Sequence, residues 1–157
     1  MRHRKSRWDE TGTADHDRTV AERGKRAARG VGKELYIRQL VPEVTLSATP
    51  TRARSTARQA LRSRGCEGGI VDTSIPFSGD TASHIGIVSS VDGRAHIAML
   101  VGRNPMLEDL VALLTSKRLL LPVAAIACIE LPVDTWSELK GRATGQLQSA
   151  ILPKELA

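Results

Sequence analysis

The segment AHIAMLVG, residues 95–102, limits the folds open to this chain more than any other stretch. It is an almost continuous apolar run of strand length, closed off by Arg94 on one side and Arg103 on the other. A strand with one wet face alternates polar and apolar residues. A continuous run belongs to a strand covered on both faces, which is the habit of parallel sheets flanked by helices. LLLPVAAIACIEL, residues 119–131, holds a second such run, from about Val123 to Leu131. Between the two lies NPMLEDLVALLTSK, a helical pattern with Glu108 and Asp109 near its positive end.

The rest of the chain keeps up this alternation. Residues 5–20 are polar and contain Gly12, and they read as a long loop. Residues 21–40 carry a helical stripe of Ala27, Ala28, Val31, Leu35 and Leu40, with Pro42 beyond the end; Gly24, Gly30 and Gly32 weaken it. A short strand over 43–48 precedes a helix from about Thr51, and Gly65 follows that helix. A strand over Gly69–Thr73 leads to a helix capped by Asp80, which also carries His84. TWSELKG supplies one turn of helix at most, and residues 145–152 form a closing strand. The expected fold is α/β: a three-layer α/β/α sandwich with a central, mostly parallel sheet, residues 1–157 forming a single domain. Ligands of such sheets sit at the carboxyl ends of the strands. That points to the segments after LSA and LVG, which carry Arg52 and Arg103.

Composition narrows the function. No apolar run approaches the roughly 20 residues that span a bilayer. The N-terminus shows no secretory pattern, so a cytoplasmic protein is expected, with Cys66 and Cys128 as reduced structural thiols. The net charge of +6 is uneven: residues 1–64 hold 16 Lys/Arg against 7 Asp/Glu, and residues 65–157 hold 7 against 10. A basic half attracts an anionic partner. With 3% aromatic residues there are few stacking platforms, which disfavours nucleic acid and leaves a phosphorylated protein or small molecule. No Gly-rich nucleotide loop is present. The histidines His84 and His96, the latter in the strand 95–102, have no metal spacing with the cysteines and read as structural. No metal or organic cofactor is expected.

The chemistry centres on Arg2-His3. An imidazole can attack phosphorus and carry the phosphoryl group, and a guanidinium beside it grips phosphate oxygens in a planar fork. The pair gains weight because further candidate phosphate ligands follow at intervals.

Taken together, these segments resemble the histidine phosphatase superfamily, the phosphoglycerate-mutase-like proteins, and within it the short bacterial phosphohistidine phosphatases of the SixA type. RHRKSRWDETGTADHDRTVAERGKRAA is similar to that branch's opening. LSATPTRARSTA resembles its Ser-x-x-x-x-Arg-Ala-x-x-Thr-Ala segment, and LVGRNPMLEDLVALLT its Val-Gly-His-Asn-Pro followed by Leu-Glu-Asp-Leu. LPVAAIACIEL and the terminal LPKEL also have counterparts. The resemblance implies His3 as nucleophile and Arg2, Arg52 and Arg103 as phosphate ligands. Arg4, His16 and Asn104 are candidate pocket-lining residues, and Arg54 is a surface charge. The implied activity is protein phosphohistidine phosphatase, proceeding through a covalent phosphohistidine intermediate. It also implies a place in signal transduction.

Three departures accompany it. The family has a buried strand directly before Arg-His, whereas only Met1 stands there, so neighbouring strand edges should be exposed and a short apolar segment is expected ahead of Met1 in the native gene. Arg4 stands where the family has a small residue. Arg103 replaces the family's second histidine; it can bind phosphate but cannot shuttle a proton at neutral pH. These departures motivate the alternative, a catalytically degraded relative that binds a phosphorylated protein or anion without hydrolysing it.

Overall fold

The computed structural model describes residues 14–47, 57–58, 60–61, 69–72, 80–141 and 145–156, with the backbone alone for 14–23 and 69–72. The long helix α1, Ala14–Ile37, opens the described chain. It is followed by β1, Val44–Ser47, and by α2, helical at residues 57–58 and 60–61. Then come β2, Gly69–Asp72, and α3, Thr81–Ser89. The strand β3, Ala98–Val101, leads into α4, Met106–Thr115. The strands β4, Ile126–Glu130, and β5, Gln146–Ile151, close the chain, with 3₁₀ turns at Trp136–Glu138 and Pro153–Leu156. No helix among the described residues is long and apolar enough to cross a membrane.

The three strands β2-β1-β3 form a parallel sheet with β1 in the middle. Side chains alternate across it. Met99 and Val101 of β3 are buried with Ala28, Val31 and Leu35 of α1 and with Ala57, Ala60 and Leu61 of α2. Leu100, between them, packs against the opposite cluster, where Ile85 of α3 meets Leu110 and Leu114 of α4. Helices therefore cover both faces of β3, as its apolar run requires. Each helix follows its stripe: α1 buries Ala28, Val31 and Leu35, and α4 buries Leu107, Leu110, Val111 and Leu114.

Caps mark the ends of α3 and α4. The Asp80 carboxylate accepts from the Ser83 N–H at 2.9 Å and from the Ser83 hydroxyl at 2.7 Å. Those two donors hold its carboxyl below the ordinary carboxylate range, so the cap is at full strength above that range and is lost as pH falls through the lowered value. His84 is 3% exposed, and its Nδ1 lies 2.7 Å from the Asp80 carbonyl oxygen, so that nitrogen donates. At the C-terminus of α4, Ser116 adopts φ 57° and returns its N–H to the Ala112 carbonyl at 2.8 Å.

Three expectations change. Residues 14–20 are helix rather than loop, because α1 begins at Ala14. His96 precedes β3 instead of lying within it, and its N–H is taken by the Glu43 carboxylate at 3.2 Å. Among the described residues the closing strand does not join the parallel sheet: β5 pairs antiparallel with β4 in a two-stranded sheet, with a register shift between Cys128 and Ile129.

Between β3 and β4 lies a cavity of about 450 Å³. Ala98, Met99 and Leu100 line one side of it, and all five residues of β4 line the other. Leu35 of α1 closes it from one face; Leu110 and Leu114 of α4 close it from the other.

Candidate functional site

The parallel register brings the carboxyl ends of the three strands together. Ser47 pairs with Val101 and, on the other side, with Asp72, so all three strands of the sheet end together. In sequence, Arg52 lies five residues beyond Ser47, outside the described residues, and Arg103 lies two beyond Val101, after one glycine. Gly102 is tightly set, since a Cβ there would lie 2.8 Å from the Met106 Cε.

Arg103 is half-buried just ahead of α4, and its carbonyl accepts the Leu107 N–H at 3.0 Å. It thus sits at the amino end of a ten-residue helix, where the helix dipole favours anions. Asn104 follows, joined to Pro105 by a cis peptide bond. The Asn104 amide nitrogen donates to the Glu108 carboxylate and, at 3.0 Å, to the Leu121 carbonyl. The same Glu108 oxygen accepts the Leu121 N–H at 2.8 Å. This three-way clamp ties the turn after β3 to the loop leading into β4. It leaves the buried Asn104 Oδ1 without a hydrogen-bond partner among the described residues.

Of the residues singled out from sequence, the structure brings Arg103 and Asn104 together at the carboxyl end of β3. His16 falls on α1, its side chain outside the described set. Arg2, His3, Arg4 and Arg52 lie outside the described residues. Sequence reasoning missed Glu108 as a site-building residue and assigned it only to the positive end of the helix. The signal was present in the spacing Asn104–Glu108 across one helical turn. Glu108→Ala strands the Leu121 N–H and half of the Asn104 amide, so it should cost about 1–3 kcal/mol in urea unfolding. Glu108→Gln keeps one acceptor and should lose less. Equal stability of all three proteins would show the clamp to be dispensable.

Comparison with known proteins places these observations. No family model matches the chain. It is 30% identical over 149 residues to an uncharacterized protein of Mycobacterium tuberculosis, covering 89% of this chain and 92% of that protein. It is 25% identical over 169 residues to an uncharacterized chloroplastic protein of Arabidopsis thaliana, covering 98% of this chain and 76% of that one. Among solved structures, a SixA protein of Nakamurella multipartitia assigned as a phosphohistidine phosphatase superposes with a TM-score of 0.74. The match has 20% identity and covers 98% of this chain and 93% of that one. The protein histidine phosphatase SixA complexed with tungstate superposes with a TM-score of 0.69 at 15% identity, covering 100% of this chain and 97% of that one.

Proposed function

Because the chain belongs to one family with the uncharacterized Mycobacterium tuberculosis protein and has the SixA-like fold of the histidine phosphatase superfamily, we propose that it hydrolyses phosphohistidine in proteins. The observation that carries this reading is the shared sheet end. The strands β1 and β3, which Arg52 and Arg103 follow in the sequence, end side by side, and β3 leads into the amino end of α4. A tungstate-bound relative of the same fold fits an oxyanion pocket.

In this reading Arg2, Arg52 and Arg103 hold the phosphoryl oxygens, with Arg4 and His16 nearby. His3 attacks phosphorus in line. A new bond forms between its ring nitrogen and phosphorus while the bond from phosphorus to the substrate imidazole breaks, and the leaving imidazole takes up a proton. Water then attacks the phosphorylated His3, which releases inorganic phosphate and restores the imidazole. An imidazole leaving group makes little demand on a general acid, so an arginine at position 103 is compatible with turnover. Its fixed charge stabilises the oxygens of a loose phosphoryl transition state. The chemistry uses a protein phosphohistidine partner and no metal or organic cofactor.

The test is release of phosphate from a phosphohistidine-bearing carrier protein. Wild type should turn over repeatedly and His3→Ala should fall to background. Near-normal turnover by His3→Ala would place the chemistry elsewhere. The replacement of the second histidine by Arg103 favours a second reading, in which the site binds the phosphorylated protein without hydrolysing it. Phosphate-dependent binding with no phosphate release would select that one.

A further inference from the structure

The outer face of α1 carries its cations in a row. Arg26, Arg29 and Lys33 are exposed. At about 3.6 residues per turn they share one stripe with Tyr36 and Ile37, opposite the buried Ala28, Val31 and Leu35. None of the three cations makes an ion pair among the described residues. Glu34 is the one acid between residues 23 and 38; it lies on the flank of the stripe, and its carboxylate is taken by Arg38 at 2.7 Å. Like charges three and four residues apart destabilise a helix, so the row weakens α1 on its own and favours counter-charges from outside. The stripe ends at Tyr36, 52% exposed, and Ile37, 60% exposed. Both line an open hollow of about 440 Å³, together with Gln39 and Val41.

We propose that this stripe docks an acidic helix of the protein that carries the phosphohistidine, with carboxylates on Arg26, Arg29 and Lys33 and an apolar side chain in the hollow by Tyr36 and Ile37. The choice of partner rests on the phosphohistidine phosphatase reading. Only residues 38–43 separate α1 from β1, so α1 ends at the amino edge of the sheet and its earlier turns lie toward the carboxyl edge. The Arg26 end of the stripe is therefore the end nearer the edge where Arg103 stands. From Arg26 to Ile37 the stripe runs about 16 Å, and a second helix laid along it repeats the same spacing of side chains. Nucleic acid and an anionic membrane fit less well. The stripe offers a single aromatic platform, Tyr36, and its apolar side chains stand at one end rather than along its length. The apolar face of α1 is buried in the core.

The probes are an alanine-rich helical peptide with three glutamates at the spacing of Arg26, Arg29 and Lys33 and a leucine one turn beyond, and the same peptide with glutamines. Fluorescence anisotropy should show the glutamate peptide bound. The joint change Arg26→Gln, Arg29→Gln and Lys33→Gln should weaken it about tenfold, the sum expected of three exposed ion pairs, and added salt should weaken it too. Arg26→Glu, Arg29→Glu and Lys33→Glu together should reject that peptide and bind one with lysines in place of the glutamates, which separates a lost contact from a lost fold. Equal binding of the glutamate and glutamine peptides would overturn the inference. So would a glutamine variant that binds as wild type does, or a reversed protein that ignores the lysine peptide. Binding of a DNA duplex or of phosphatidylserine vesicles that the glutamine variant abolishes, without binding of the glutamate peptide, would also overturn it. Each peptide is then extended by a glycine linker and a phosphohistidine at the end nearer Arg26. The glutamate form should show a KM about tenfold below that of the glutamine form at equal kcat, and the glutamine variant should remove the difference. Binding of the glutamate peptide with hydrolysis of neither form would uphold the docking stripe and count against the phosphatase reading. Hydrolysis of both forms at one KM, with no preference in binding, would do the reverse.

Discussion

Arg103→Ala is expected to lower phosphohistidine hydrolysis by about a hundredfold, the usual cost of removing one preorganised donor from a developing oxyanion. The residue stands immediately beyond the buried strand β3, half-buried, at the amino end of α4. Its backbone is held by neighbours, because its carbonyl accepts the Leu107 N–H and the next residue is clamped by Glu108. In the phosphatase reading its fixed charge counts most where the phosphoryl oxygens gain charge, in the transition state. Arg103→His keeps a nitrogen donor on a shorter side chain and should fall between wild type and alanine. A melting curve recorded for each variant separates loss of fold from loss of chemistry. A rate that rises about tenfold in Arg103→His would mean that the arginine obstructs the site by about 1.4 kcal/mol, and the non-hydrolysing reading would then be preferred.

Gly32→Ala should lower the melting temperature by about 5–10 °C, the shift that 2–3 kcal/mol produces in a domain of this size. A Cβ at position 32 would lie 1.8 Å from the Ala60 carbonyl oxygen and 2.7 Å from its carbon, both rigid backbone of α2. No rotamer change relieves that overlap, so the two helices must separate. Ala28, Val31, Ala57, Ala60 and Leu61, all nearly inaccessible, would loosen with them. Gly24→Ala is the matched control: nothing lies within 4 Å of its added Cβ, and removing a mid-helix glycine is worth roughly 0.5–1 kcal/mol of stabilisation. Equal melting of Gly32→Ala and wild type would mean that α1 and α2 do not approach as closely as described.

The contrast between those two glycines shows what could be read in the sequence. The stripe through Ala28, Val31 and Leu35 was legible, and so was the apolar run that became β3. Gly24 and Gly32 looked alike, as weaknesses in a helix. Only the distance to another helix separates them, and no local pattern carries that distance. The start of α1 is hidden because Gly12 and the scattered Asp and Thr of residues 5–20 read as loop, whereas Asp15 and Asp17 stand favourably in the helix's first turn. The strand β5 was found from its alternation, but its antiparallel pairing with β4 depends on the long-range match of Ile126 with Ile151. Of the candidate site, the motifs place Arg103 and Asn104 after an apolar strand, and the structure has them directly beyond β3; Arg2, His3, Arg4 and Arg52 lie outside the described residues. The clamp through Asn104, Glu108 and Leu121 was not legible, since one of its three members lies 13 residues further along the chain.

The central claim is that His3 carries the phosphoryl group, and rapid quenching during turnover addresses it most directly. Protein mixed with a labelled phosphohistidine substrate, stopped in alkali and mapped by mass spectrometry should show one acid-labile phosphoryl group on the peptide containing His3. The adduct should appear and decay with the release of phosphate, and it should be absent from His3→Ala. Sustained phosphate release with no phosphoryl group on His3 at any time, or with the label on another residue, would contradict the account.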